Sequence, residues 1–162
     1  MQIIKIQQQH YIQVAEIYLE GIATGNATFQ TTAPAWRDWD RGHLPHSRIA
    51  ITINGHVAGW AALTAVSSRC VYSGVAEVSV YVGKEYRGKG LGKVLIGELI
   101  KESESNNIWT LQSGIFPENT ASIKLHEQCG FRTIGYRERI GNMNGVWRDN
   151  IIMERRSKIT GI

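Results

Sequence analysis

Glu77-Val78-Ser79-Val80-Tyr81-Val82-Gly83-Lys84-Glu85-Tyr86-Arg87-Gly88-Lys89-Gly90-Leu91-Gly92 decides how this chain is read. Val75 to Val82 is rich in β-branched residues and reads as a strand. The loop that follows is basic and rich in glycine. From there Leu91, Val94, Leu95 and Leu99 fall on one stripe while Lys93, Lys101 and Glu104 fall opposite, so a helix opens at the end of the loop. Strand, glycine loop and helix in that order can point several backbone N–H groups and a helix dipole at one anionic group, and a pyrophosphate is the natural guest. Gly83 to Lys89 match G-x-x-x-x-G-K, but Gly90 stands where a P-loop needs Ser or Thr to hold magnesium, which disfavours a nucleotide triphosphatase. A dinucleotide fingerprint also fails, because the third glycine falls one position early.

Upstream, Ile3 to Ile6 reads as a strand, and Val14, Ile17, Tyr18 and Ile22 recur at helical spacing after His10. Gly25-Asn26-Ala27-Thr28 breaks that helix, and Pro34 to His46 is expected to form a shorter second one. Ile49, Ile51 and Ile53 alternate with polar or small neighbours, and Asn54-Gly55 supplies a type I′ turn into Val57 to Leu63. Ser67 to Gly74 reads as a loop. Downstream, Ile108 to Phe116 reads as a strand, Pro117 to Gln128 as a helix stopped at Cys129-Gly130, and Phe131 to Tyr136 as a strand. Asn144-Gly145 marks a last turn into Val146 to Met153. Strands and helices alternate with hairpins mixed in, so a mixed α/β fold with helices flanking a mixed sheet is expected.

The 162 residues suit one domain, read here as 1–162, with 43% hydrophobic and 20% charged residues and no low-complexity stretch. Met1 to Lys5 lack a basic segment followed by a long apolar run, and no apolar run of membrane-spanning length occurs, so a cytoplasmic location without a membrane partner is expected. Cys70 and Cys129 stand far apart without metal-ligand spacing, so neither a zinc site nor a disulfide is indicated. The net charge is +4. Its Lys and Arg residues are scattered apart from small groups at Lys84 to Lys93 and Arg155-Arg156, which fits a local anion site better than a nucleic-acid face.

Arg87-Gly88-Lys89-Gly90-Leu91-Gly92 resembles the [QR]-x-x-G-x-[GA] motif of GNAT N-acetyltransferases, whose amides hold the pyrophosphate of coenzyme A. The resemblance extends over nearly the whole chain and narrows to the phosphinothricin and methionine sulfoximine acetyltransferase branch. It is carried by Ala76 to Val82, Leu125-His126-Glu127-Gln128-Cys129-Gly130-Phe131 and Gly145-x-Trp147-x-Asp149. It implies a central twisted sheet of about seven strands, mostly antiparallel, flanked by about four helices. It also implies acetyl-CoA as co-substrate without a metal, a small amino-acid-like acceptor, and a homodimer.

Carried over by position, the resemblance implies that the Val80, Tyr81 and Val82 amides pair with the pantetheine arm. Arg87, Gly88, Lys89, Gly90, Leu91, Gly92 and Lys93 would hold the phosphates, with Asn119 and Ser122 also at the cofactor. Phe29, Arg69, Tyr72, Glu77 and Val78 would border the acceptor, Arg69 being able to pair bidentately with a carboxylate or phosphinate. Glu77 stands where the family has its general base; from the residues alone it reads as a solvated strand residue. His126 lies on a sheet-facing stripe with Ser122, Leu125 and Cys129, and reads either as a core histidine or as the acid that protonates the departing thiolate. The expected reaction is direct acetyl transfer to an α-amino group in a ternary complex. Two other readings stay open: a protein N-terminal or lysine acetyltransferase, and a noncatalytic acyl-CoA sensor.

Overall fold

A computed structural model describes residues 1–162. Seven strands form one sheet: β1 (Gln2–Lys5), β2 (Arg48–Ile53), β3 (His56–Ala65), β4 (Val75–Val82), β5 (Thr110–Ile115), β6 (Arg132–Met143) and β7 (Val146–Arg156). Their order is β1-β2-β3-β4-β5-β7-β6. Every neighbouring pair is antiparallel except β4 and β5. Four helices accompany them: α1 (Tyr11–Ile22), α2 (Trp36–Gly42), α3 (Leu91–Ser105) and α4 (Thr120–Gln128).

Alternation along the strands builds two cores. On one face, Ile49, Ile51, Leu63, Val78, Leu111 and Met153 bury against Leu91, Leu95, Ile96 and Leu99 of α3. On the other, Ala50, Trp60 and Ala62 bury against Tyr11, Val14 and Ile17 of α1 and Trp39 of α2. Small residues on that second face leave room for the large rings: Trp60 stacks on Tyr81 with centroids 4.9 Å apart, and Tyr18 meets Tyr81 edge-on at 4.9 Å. Gly21 is what lets α1 approach so closely, since a Cβ there would lie 2.7 Å from the Tyr81 ring.

Both expected Asn-Gly turns form, with φ of 51° and 81° at Asn54-Gly55 and of 52° and 82° at Asn144-Gly145, the left-handed pair that a type I′ hairpin requires. Other expectations are corrected. The second helix runs only over Trp36–Gly42, because His43 turns extended and Pro45 disfavours helix in the residue before it. The last helix starts at Thr120 instead of Pro117, its first turn capped by Asn119, whose side chain accepts from the Ser122 amide at 3.2 Å. Strand β6 does not stop at Tyr136 but continues to Met143. Its polar stretch still pairs with β7, with register shifts and a left-handed Arg139.

Candidate active site

The parallel ladder between β4 and β5 is short. It joins Val75 to Thr110, Ala76 to Leu111 and Glu77 to Gln112, and ends there. Beyond it, β4 pairs only with β3, as far as Val82 opposite Gly59, while Ser113–Ile115 of β5 pair only with β7. The sheet therefore forks at Glu77, and the Val78–Val82 edge facing β5 has no strand partner. Unpaired strand edges must find other hydrogen-bonding partners. A cavity of about 1350 Å³ fills the fork and reaches both faces of the sheet.

One end of the cavity is the glycine loop. Gly90, at φ 80°, is the residue before α3 and supplies no side-chain cap, so the leading amides of the helix are left for a ligand. Gly88, Gly90, Leu91, Gly92 and Lys93 line the wall there, together with Arg87, whose Nε donates to the Val82 carbonyl at 3.1 Å. Lys89 is not in the wall; its ammonium lies over the Tyr86 ring at 5.5 Å. Asn119 and Ser122 reach the cavity from the start of α4, and Val80, Tyr81 and Val82 border it from β4. Burial pushes the Tyr81 hydroxyl well above the ordinary tyrosine range.

At the fork itself, Glu77 is exposed to water within the cavity wall, and Gln112 Nε2 donates to its Oε2 at 3.2 Å. Val78, the next residue, is buried and also borders the cavity. His126 is 1% exposed. Its Nδ1 lies 2.8 Å from the Ser122 carbonyl, an acceptor, so Nδ1 carries the proton. The other nitrogen, Nε2, is buried without a partner and presents a lone pair. Burial lowers the His126 pKa, outweighing the Ser122 hydrogen bond, and keeps the ring neutral. In that form Nε2 can accept a proton or a hydrogen bond but has no proton to donate.

The other end of the cavity is aromatic. Phe29 meets Phe116 edge-on at 4.7 Å, and its ring seats on Gly141, where a Cβ would lie 2.6 Å away. The segment carrying Phe29 is fastened by Asn119 and by Arg148, which sequence reasoning did not single out. Arg148 of β7 donates from Nη1 to the Gly25 carbonyl at 2.9 Å and from Nη2 to Asn26 Oδ1 at 2.9 Å, and lies 3.4 Å from Glu118 Oε2. Its guanidinium covers the Phe116 ring at 4.0 Å, and Asn119 Nδ2 donates to the Asn26 carbonyl at 3.1 Å. Only the motif Gly145-x-Trp147-x-Asp149 around it could have drawn attention to Arg148. Arg69 and Tyr72 correct the expectation made for them: they sit on an exposed loop outside the cavity wall, the guanidinium 5.4 Å from the Tyr72 ring centroid.

The arrangement offers an anion cradle, an unpaired strand edge, a carboxylate at the fork and an aromatic end. No group of three His, Cys, Asp or Glu side chains is placed to hold a metal ion, and no helix is long and apolar enough to cross a membrane.

Comparison with known proteins agrees with this geometry. Residues 12–131 match the model of the acetyltransferase (GNAT) family. The phosphinothricin N-acetyltransferase of Alcaligenes faecalis is 30% identical over 151 residues, covering 88% of this chain and 75% of that protein. The L-methionine sulfoximine/L-methionine sulfone acetyltransferase of Salmonella typhimurium is 35% identical over 101 residues, covering 62% of this chain and 59% of that protein. Among solved structures, a GNAT superfamily phosphinothricin acetyltransferase from Sinorhizobium meliloti in complex with AcCoA superposes with a TM-score of 0.87 at 26% identity, covering 99% of this chain and 90% of that one.

Proposed function

The chain belongs to the GNAT family of acetyl-CoA-dependent N-acetyltransferases, and from that premise we propose that it acetylates the α-amino group of a small amino-acid-like acceptor, of the phosphinothricin or methionine sulfoximine class. The observation that carries this reading is the aromatic end of the cavity. Phe29 and Phe116 wall it, and the segment in front is tied down by Arg148 and Asn119. A protein acetyltransferase needs an open groove for a peptide; an aromatic-walled end with its front segment tied down favours a free amino acid.

Residues 1–162 act as one unit in this proposal. Acetyl-CoA lays its pyrophosphate on the amides at Gly88 to Gly92 and its pantetheine arm along the open edge of Val78–Val82, which fits the uncapped helix and the unpaired strand. The acceptor nitrogen attacks the thioester carbon, the C–S bond breaks, and coenzyme A leaves as its thiolate, which takes up the proton that the nitrogen loses as the amide forms. Glu77, directly or through water, takes the proton that the ammonium must lose before attack. Much of the acceleration then comes from holding amine and thioester together and from strand amides that polarise the carbonyl.

The proposal includes a homodimer. The outer β6–β7 hairpin exposes Ile134, Tyr136, Ile140, Val146 and Trp147, the last 60% exposed, an apolar surface that association would cover. Light scattering at micromolar concentration should give twice the chain mass.

Thiol release from acetyl-CoA, followed across free amino acids and short peptides, tests the acceptor class. Free amino acids should be turned over and peptides extended at the carboxyl end should not. Faster turnover of peptides would overturn the reading.

A further inference from the structure

Three cations stand in the cavity wall: Arg87, Lys93 and Arg137. Arg87 and Lys93 flank the glycine loop. Arg137, on β6, is at the opposite end, and its guanidinium makes no hydrogen bond or ion pair within the protein, unlike Arg132, Arg148 and Arg155, which all have carboxylate partners. Arg137 is exposed to solvent along the cavity wall, where its unpaired guanidinium can offer its donors to an anion.

The register shows which side of the sheet it serves. Arg137 is directly opposite Asn150, so the two share a face. Asn150 lies two residues from Ile152, which is opposite Gly114, and Gly114 lies two residues from Gln112, which is opposite Glu77. Side chains two apart on a strand share a face, so Glu77, Gln112, Asn150 and Arg137 all stand on one side of the sheet, with Gly114 between them. Gly114 has no Cβ because the Asn150 carboxamide lies over it: a Cβ there would be 2.9 Å from Oδ1. That Oδ1 is itself buried, lines the cavity, and has no partner.

We propose that Arg137 anchors an anionic group of the acceptor, while Glu77 and the unpartnered Asn150 Oδ1, both hydrogen-bond acceptors on the same face, serve the amine. The inference rests on the acetyl-acceptor reading above. It replaces Arg69, which lies outside the wall, as the cation that recognises the acceptor. The bound group is an oxyanion, either the α-carboxylate or a second acidic group on the acceptor's side chain.

Steady-state kinetics on Arg137→Met and Arg137→Lys test this with three acceptors: a neutral-side-chain amino acid, an amino acid with an acidic side chain, and an amine lacking both acidic groups. In Arg137→Met the KM of at least one anionic acceptor should rise about ten- to a hundredfold, as expected for loss of a charge-assisted pair. The KM of acetyl-CoA and of the amine lacking acidic groups should stay within about twofold, and Arg137→Lys should recover part of the loss. A rise shared by both amino acids identifies the α-carboxylate; a rise confined to the acidic side chain identifies the second group. Unchanged KM values for both amino acids, or an equal rise for the amine, would overturn the proposal. Failure of the unmodified enzyme to acetylate any free amino acid would overturn the acceptor reading as well, and that result appears before any variant is made.

Discussion

Glu77 and Gln112 form the last rung between β4 and β5, and Gln112 donates its side-chain N–H to the Glu77 carboxylate at 3.2 Å across that rung. The carboxylate therefore sits where the sheet opens, one residue before the strand edge that would hold the thioester. It is open to water, so a proton can reach it directly or by relay.

Glu77→Gln should cut kcat by about 10²–10⁴, the usual range for general-base assistance, while the acetyl-CoA KM stays near that of the unmodified enzyme. The loss should shrink as pH rises, because the acceptor amine then arrives already deprotonated. Wild-type turnover at every pH would reduce Glu77 to a strand residue with a hydrogen-bonding neighbour.

The glycines of the loop are required for different reasons. At Gly90 a Cβ would meet nothing within 4 Å, but φ is 80°, so Gly90→Ala is strained by about 1–2 kcal/mol and distorts the amides at the start of α3. At Gly92 the backbone is helical, and a Cβ would lie 2.8 Å from Leu125 Cδ2, between α3 and α4. Gly92→Ala should therefore cost roughly 1–3 kcal/mol of folding stability through overpacking. Calorimetry should show weaker acetyl-CoA binding for Gly90→Ala, and restoration of Gly92→Ala stability when Leu125 is shortened to Ala. Failure of that rescue would separate Gly92 from the α3–α4 contact.

The buried His126 gives stability a pH dependence. Burial lowers its folded pKa below the ordinary value of 6.5, so below that pH the unfolded chain binds a proton that the folded one refuses. Stability should fall as pH drops through about 6.5 and go on falling to the folded pKa. His43 and His46 are also lowered, chiefly by burial, and contribute with the same sign, so the comparison must be with a variant. Denaturant melts between pH 7 and 5 should give a shallower slope for His126→Gln, by at most about 1.4 kcal/mol per pH unit, one proton's worth. Superimposable slopes would contradict a neutral buried His126.

Local chemistry explains which parts were legible in the sequence. Asn54-Gly55 and Asn144-Gly145 announced both type I′ hairpins, and the glycine loop before Leu91 announced the anion end of the cavity, because each depends on residues adjacent in the chain. The fork was invisible, since it arises where two strands 35 residues apart stop pairing. The polar run Arg137 to Asn142 hid the second half of β6, whose side chains are largely exposed while its backbone still pairs with β7. Arg69 was carried over by position from the family resemblance, and only the folded chain shows that its loop stands clear of the cavity wall.

The longest of these reaches is Arg148 to Gly25, a contact spanning 123 residues of sequence. Arg148 is not in the cavity wall; its side chain is 16% exposed and stands behind the segment that carries Phe29. Its two donors fix Gly25 and Asn26 at 2.9 Å each, and its flat face covers Phe116, the partner of Phe29. It therefore acts as a positioning residue for the acceptor end. Arg148→Met keeps an apolar stem over Phe116 but removes the fork of donors, so the segment at 24–30 should loosen without collapse of the β7 packing. The acceptor KM should rise about five- to tenfold, the acetyl-CoA KM should stay within about twofold, and amide hydrogen exchange at 24–30 should accelerate. Arg148→Lys retains the charge but not the planar fork, and should recover only part of the effect. A merely structural arginine would lower stability and leave the ratio of the two KM values where it was; that result, with unchanged exchange at 24–30, would remove Arg148 from the acceptor site.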